Sequence, residues 1–263
     1  MVTIFLQGGL GNQMFQVAAA YNFAKINDDS SEFNFNQCNT PHQGKIAINY
    51  KNSIFKNFTH SESLKIEFIY DQKEHSYKNI PYKKNIMLRG FFQSEKFFID
   101  NKNDIIEKFY DGLFFNKEKV DTVKNFLTSI NNKKLPIVTI HIRRGDYLKF
   151  INVHGICSKE YYNDAINIIK LRVGEFLPIY VSDDKKWVEN NFDGIVSPFN
   201  DEIEDLILLT LSDHNIIANS SFSWWGSYLN KNKNKIVIAP KIWFSAEGPK
   251  DQEDIIPNEW VKI

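Results

Sequence analysis

The chain opens on an apolar run, Val2 to Leu6, that Gly8 and Gly9 stop. A continuous apolar run closed by glycine predicts a buried strand. Asn12 then precedes Met14, Phe15, Val17, Ala18, Tyr21 and Ala24, a spacing that predicts a helix with an asparagine near its start. Strand, glycine turn and helix in succession open a doubly wound α/β domain. The pattern then weakens. Residues 32–36 and 86–92 predict strands, and 96–110 and 120–130 predict helices, but Cys38 to Lys84 is polar, aromatic and poorly periodic.

The polar stretch Asn131-Asn132-Lys133-Lys134 before Pro136 predicts a domain break, giving α/β domains at 1–133 and 134–263. Beyond it the alternation sharpens. Strands are predicted at 137–142, 177–181, 195–196, 214–218 and 236–239. Helices are predicted behind Ser158 and at 185–190, 203–211 and 222–229. That alternation predicts a parallel sheet with helices on both faces. Two such halves predict two Rossmann-like domains facing a cleft, with ligands at the carboxyl ends of the strands.

Composition narrows the function. Lys plus Arg equals Asp plus Glu at 32 each, so the long-range field of a non-specific nucleic-acid binder is missing. No apolar run is long enough for a transmembrane helix. The first residues lack the basic flank of a signal peptide, so a cytoplasmic protein is expected. Two cysteines, Cys38 and Cys157, make no disulfide framework or Cys-rich zinc site. Of the 32 basic residues only Arg89, Arg143, Arg144 and Arg172 are arginine. A lysine-biased chain keeps arginine where a planar fork of donors must grip a carboxylate or phosphate.

The chemistry gathers behind the strands. Gln7-Gly8-Gly9-Leu10-Gly11-Asn12-Gln13 is neither a dinucleotide fingerprint nor a Walker A loop; it serves as a glycine turn or as a close approach to a ligand. His141-Ile142-Arg143-Arg144-Gly145-Asp146-Tyr147 carries two guanidiniums that repel unless an anion or carboxylate joins them. Ser182-Asp183-Asp184 offers carboxylates to a guanine edge or ribose, or caps the helix at Lys185. Asn219-Ser220-Ser221-Phe222-Ser223-Trp224-Trp225-Gly226 offers hydroxyls at a helix start suited to phosphate, with one tryptophan expected inward. His42, His60, His75 and His154 are expected at the surface or in loops and His214 in the core; none has metal-ligand spacing.

These segments, with Phe92-Gln93-Ser94-Glu95-Lys96-Phe97-Phe98, resemble the bacterial α-1,2-fucosyltransferase family. The resemblance implies a GT-B fold and inverting transfer of fucose from GDP-β-L-fucose to the 2-hydroxyl of a terminal galactose, without a metal cofactor. It implies Arg143 on the β-phosphate and Arg144 on Asp146 or a second phosphate oxygen. Ser221 and Ser223 would contact phosphate, Ser182 and Asp183 the guanosine, with Asn219 on the same donor side. Gly11, Asn12, Gln13 and Glu95 would face the fucose or the acceptor. Asp146, His141 and Glu95 are the candidate bases, and an O-antigen or capsular glycan made peripherally to the inner membrane face is the implied setting. Two alternatives stay open: a related GDP-sugar transferase forming another linkage, and a non-catalytic glycan- or nucleotide-binding module.

Overall fold

The computed structural model describes residues 1–39 and 44–263; His42 lies outside the described residues. The chain forms two compact units, residues 1–115 with 249–257, and residues 116–248 with 258–263.

In the first unit the elements are β1 (Val2–Ile4), β2 (Leu6–Gln7), α1 (Leu10–Ile26), β3 (Cys38–Asn39), β4 (Phe68–Asp71), β5 (Ile86–Arg89) and α2 (Lys102–Leu113). Strands β1, β5 and β4 form a parallel sheet in that order, and β2 pairs parallel with β3. The apolar run 2–6 thus divides at Phe5, whose N–H donates to Leu88 O at 2.8 Å. Helix α1 is buried on nearly every side, as a core helix must be when apolar residues ring it.

Residues 32–36 form no strand, only a single bridge from Phe33 to His60. Phe33 and Phe35 instead join a ring cluster, with Phe35 5.2 Å from Phe55 and Phe58 4.9 Å from Phe109. A core assembled from rings on loops and short turns needs no backbone period, which is why this stretch reads so poorly. The helix expected over 96–110 begins at Lys102, after 3₁₀ turns at Glu95–Phe97 and Ile99–Asn101. Late in the chain, Asp251 accepts from Ser76 N at 3.0 Å and Asp254 from Tyr77 N at 2.9 Å. These bonds return residues 249–257 to the first unit.

The second unit comprises α3 (Lys117–Ile130), β6 (Ile137–Ile142), α4 (Ile151–His154), α5 (Lys159–Val173), β7 (Leu177–Ser182), α6 (Lys185–Asn191), β8 (Ile195–Val196), α7 (Glu202–Leu211), β9 (His214–Ile216), α8 (Ser221–Leu229), β10 (Val237–Ala239) and β11 (Val261–Lys262). The break expected at 133/134 is corrected to 115/116. Helix α3 belongs to the second unit because Lys119 pairs with Asp201 at 2.9 Å and Phe126 packs edge-on against Phe199 at 5.3 Å.

The sheet runs β11-β10-β9-β6-β7-β8, every pair parallel. All six residues of β6 are buried, the mark of a central strand covered on both faces. The chain steps outward from β6 through β7 to β8, then returns to β6's other side and steps outward again through β9 and β10. The order reverses between β6 and β9, and open α/β sheets bind ligands at such a switch point, outside the carboxyl ends of the strands.

Candidate functional site

The loop leaving β6 carries both guanidiniums, and the turn leaving β7 answers them. Ile142 and Ser182, the last residues of those strands, lie in register. Arg143 Nη2 donates to Asp146 Oδ1 at 2.5 Å, and its Nη1 lies 3.0 Å from Asp183 Oδ2. Arg144 Nε donates to Asp184 Oδ2 at 3.1 Å, and Arg144 N donates to Asp183 Oδ1 at 2.9 Å. The resemblance gave Arg144 either Asp146 or a second phosphate oxygen; in the structure Asp146 bonds Arg143 and Asp184 bonds Arg144. Trp187 lies beneath Arg144, its ring centre 4.0 Å from Cζ, a stacked cation–π arrangement. Asp184 also accepts from Trp187 N at 3.1 Å, capping α6. Ser182 Oγ accepts from Asp184 N at 3.0 Å and is itself buried.

Gly145 makes this packing possible. A Cβ there would stand 2.5 Å from Asp183 Oδ2. Tyr147 bridges to the third strand end, its hydroxyl donating to Asn219 O at 3.1 Å, and stacks on His154 at 4.4 Å. Burial pushes the Tyr147 phenol up and the His154 imidazole down.

His141, expected as a candidate base, is enclosed within β6 beside Phe222, with Nδ1 lacking a partner among the described residues. Burial first, and the Arg143 charge second, push its pKa down to about 3. It stays neutral at neutral pH and is a weak base, which counts against that role.

Behind β9 the expected phosphate cradle is only partly open. Ser221 begins α8 and is half-buried, and the first N–H groups of a helix lack intrahelical acceptors. Ser223 is a correction: it is wholly buried, donating to Ser220 O at 3.2 Å. Asn219 is another. Its Nδ2 donates to His154 O at 2.7 Å and Trp243 O at 2.9 Å, while Oδ1 accepts from Cys157 Sγ at 3.6 Å. That side chain ties the loop together. Both Trp224 and Trp225 are fully buried, where one was expected inward. Helix α8 lies close on α7 at Gly226, where a Cβ would meet Leu209 Cβ at 2.6 Å.

In the first unit, α1 starts at Leu10 with Gly9 as its cap, so Gly11, Asn12 and Gln13 sit in its first turn. Gln13 is wholly buried, donating from Nε2 to Gly8 O at 2.9 Å and Lys45 O at 3.0 Å. It braces the turn and does not face outward as expected. Gly11 is buried also. Asn12 is partly exposed, and its Oδ1 accepts from Gln93 Nε2 at 2.6 Å. Glu95 is held by Lys102 at 3.0 Å, so its carboxylate is committed to a cation.

Two residues were not singled out in the sequence. Trp187 supports Arg144 beside Asp184, and Asp205 on α7 accepts from Ser197 Oγ at 2.6 Å. Burial pushes the Asp205 carboxyl up to about 6. The signal for Trp187 was its place three residues after the capping aspartate. Asp205 had none, since its burial is a property of the packed α7. Among the described residues no group of three or more His, Cys, Asp or Glu is placed to hold a metal, and no helix is long and apolar enough to cross a membrane.

The chain is similar to known proteins over most of its length. An α-1,2-colitosyltransferase of Escherichia coli is 30% identical, the match covering 100% of this chain and 99% of that one. A galactoside α-(1,2)-fucosyltransferase 2 of Hylobates lar is 26% identical over 87% of this chain and 69% of its own. Among solved structures, the fucosyltransferase NodZ from Bradyrhizobium superposes with a TM-score of 0.53 at 11% identity, covering 86% of this chain and 91% of NodZ. That likeness is one of fold, and it makes the architecture α/β and GT-B-like. The family model described as glycosyl transferase family 11 matches residues 1–263, and the chain belongs to that family.

Proposed function

We propose that the protein is an inverting glycosyltransferase that moves L-fucose from GDP-β-L-fucose to the 2-hydroxyl of a terminal galactose in an oligosaccharide or surface glycan. The observation that carries this reading is the convergence of Arg143 and Arg144 with the ends of β6, β7 and β9 at the reversal of strand order.

In this reading the leaving group is a nucleoside diphosphate, and departure of the sugar leaves negative charge on its β-phosphate. Arg143 supplies fixed positive charge there, held in orientation by Asp146. Preorganised donors aimed at developing charge are the largest single source of rate enhancement in many enzymes. Arg144, stacked on Trp187, supports the same diphosphate, and the open N–H groups before Ser221 add partial positive charge. Ser182 and Asp183 stand on the guanosine side. No metal is required, because guanidinium charge takes the place of a divalent ion. Asn12 offers a neutral amide, a group suited to sugar hydroxyls.

A second reading follows from the E. coli relative named for colitose transfer. Here the site would take a GDP-sugar other than fucose and keep the α-1,2 linkage. Incubation of the protein with GDP-fucose or GDP-colitose, a β-galactoside acceptor and EDTA decides between them. GDP release and a 2-linked fucosyl product support the first reading. A colitosyl product alone supports the second, and no release from either donor across a panel of acceptors overturns both.

A further inference from the structure

We propose that Gln93 is a positioning residue that fixes the side-chain amide of Asn12 for contact with a sugar. The inference rests on the reading of Asn12 as facing the sugar and assigns a residue to that task which the reading did not include.

Gln93 follows β5 and is buried, with 6% of its surface exposed. Its Nε2 donates to Asn12 Oδ1 at 2.6 Å, while its own Oε1 is buried without a donor among the described residues. A buried amide left half satisfied costs free energy, so its retention calls for a use. The backbone around it is clamped. Phe91 N and Phe92 N both donate to Gln72 Oε1 at 2.9 Å, and Gly90 O accepts from Gln16 Nε2 at 3.1 Å. Gly90 adopts φ +154, where a Cβ would stand 2.4 Å from Gln72 Cβ. Phe92 sits at φ +51, a conformation that costs a bulky residue of order 1 kcal/mol or more and persists only where its surroundings enforce it.

The consequence lies in Asn12. A primary amide can be turned to present either its oxygen or its nitrogen. With Gln93 Nε2 donating to Oδ1, Nδ2, which has no partner among the described residues, is left as the available donor. A neutral donor recognises a hydroxyl oxygen without the desolvation cost of a charge. Among the described residues no Lys or Arg side chain bonds to Asn12 or Gln93, so the pair suits a sugar and not a phosphate.

Two variants test this. Gln93→Met keeps the volume and removes the donor. Gln93→Glu can only accept from Asn12, so it reverses the amide and presents Oδ1. Both should lower kcat/KM for sugar transfer by about tenfold or more, the loss of one oriented hydrogen bond, with GDP affinity by calorimetry unchanged because GDP lacks the transferred sugar. In an Asn12→Ala background Gln93→Met should cost less than about twofold, since a residue acting through another has no effect once that other is gone. The Asn12 side-chain amide resonances, assigned by their loss in Asn12→Asp, should shift apart in Gln93→Glu whether or not the protein turns over. Failure of the wild type to transfer any sugar would remove the activity reading alone. Additive losses in the double variant, or Asn12 resonances indifferent to residue 93, would overturn the positioning role.

Discussion

Arg143 and Asp183 hold one another at 3.0 Å across the ends of adjacent strands, while Asp146 grips the same guanidinium from its own loop. With Arg144 and Asp184 added, the cluster counts two cations against three carboxylates. An incoming diphosphate therefore competes with these carboxylates for the donors of Arg143. That competition is open to it, because the Arg143 side chain keeps 27% of its surface exposed. Exposed ion pairs of this kind contribute roughly 0–1 kcal/mol. Asp183→Asn keeps an oxygen for Arg144 N and removes the competing charge. Inorganic pyrophosphate, which has no base or ribose, should then bind about three- to fivefold tighter by calorimetry. Unchanged pyrophosphate affinity would show that Asp183 does not compete for Arg143.

The reading of the reaction places the largest demand on Arg143 itself. Arg143→Ala should lower kcat for GDP release by roughly 10²–10³-fold, the scale of a lost oxyanion-type donor. Arg143→Lys should recover little, because an ammonium cannot match the planar fork that meets Asp146 and Asp183 from two nitrogens. Turnover of the alanine variant within tenfold of wild type would remove Arg143 from the mechanism.

Gly145 gives a test of geometry without touching a charge. An added Cβ would stand 2.5 Å from Asp183 Oδ2. Asp183 must swing away, losing Arg144 N and Arg143 Nη1 together. Gly145→Ala should destabilise the second unit by about 1–3 kcal/mol and weaken GDP binding. All five tryptophans lie at Trp187 or beyond in residues assigned to the second unit, so their fluorescence in urea follows that unit alone. An unchanged urea midpoint would mean that the loop accommodates the methyl group freely.

How much of this was legible beforehand follows from where the period lies. The second unit is a parallel sheet built by alternation, and β6, β7 and α5 are found close to where apolar spacing placed them. The strand-end rule then found the Arg143–Asp183 region, because topology fixes what leaves a strand. It failed where a residue's neighbours come from elsewhere in the chain. Asn219 reads as a ligand contact until His154 and Trp243 are seen to occupy it. Gln13 reads as a surface amide until Lys45 arrives 32 residues later. Strand β4 escaped notice because Phe68 and Ile69 at the sheet edge are both exposed, so no alternation marks them. The boundary at 115/116 is set by α3 packing on α7, a pairing of distant segments that composition does not register.

Two buried groups of the second unit titrate against each other, and that opposition can be measured. Asp205 is pushed up to about 6 by burial, while His141 is pushed down to about 3. Between pH 4 and 6 the folded unit holds the Asp205 proton that the unfolded chain has released, so this group's stabilisation is lost as pH rises. Over the same window the unfolded chain binds the proton that buried His141 refuses, so stability is lost as pH falls. Each contributes about 1.4 kcal/mol per pH unit, with opposite sign. Asp205→Asn retains an acceptor for the Ser197 hydroxyl and removes only one of the two. Relative to wild type the variant should gain about 3 kcal/mol between pH 4 and pH 7, and with it a higher urea midpoint at neutral pH. The other titrating groups are common to both proteins and cancel in the difference. An offset that stays constant from pH 4 to pH 8 would show that Asp205 carries no proton into the folded state.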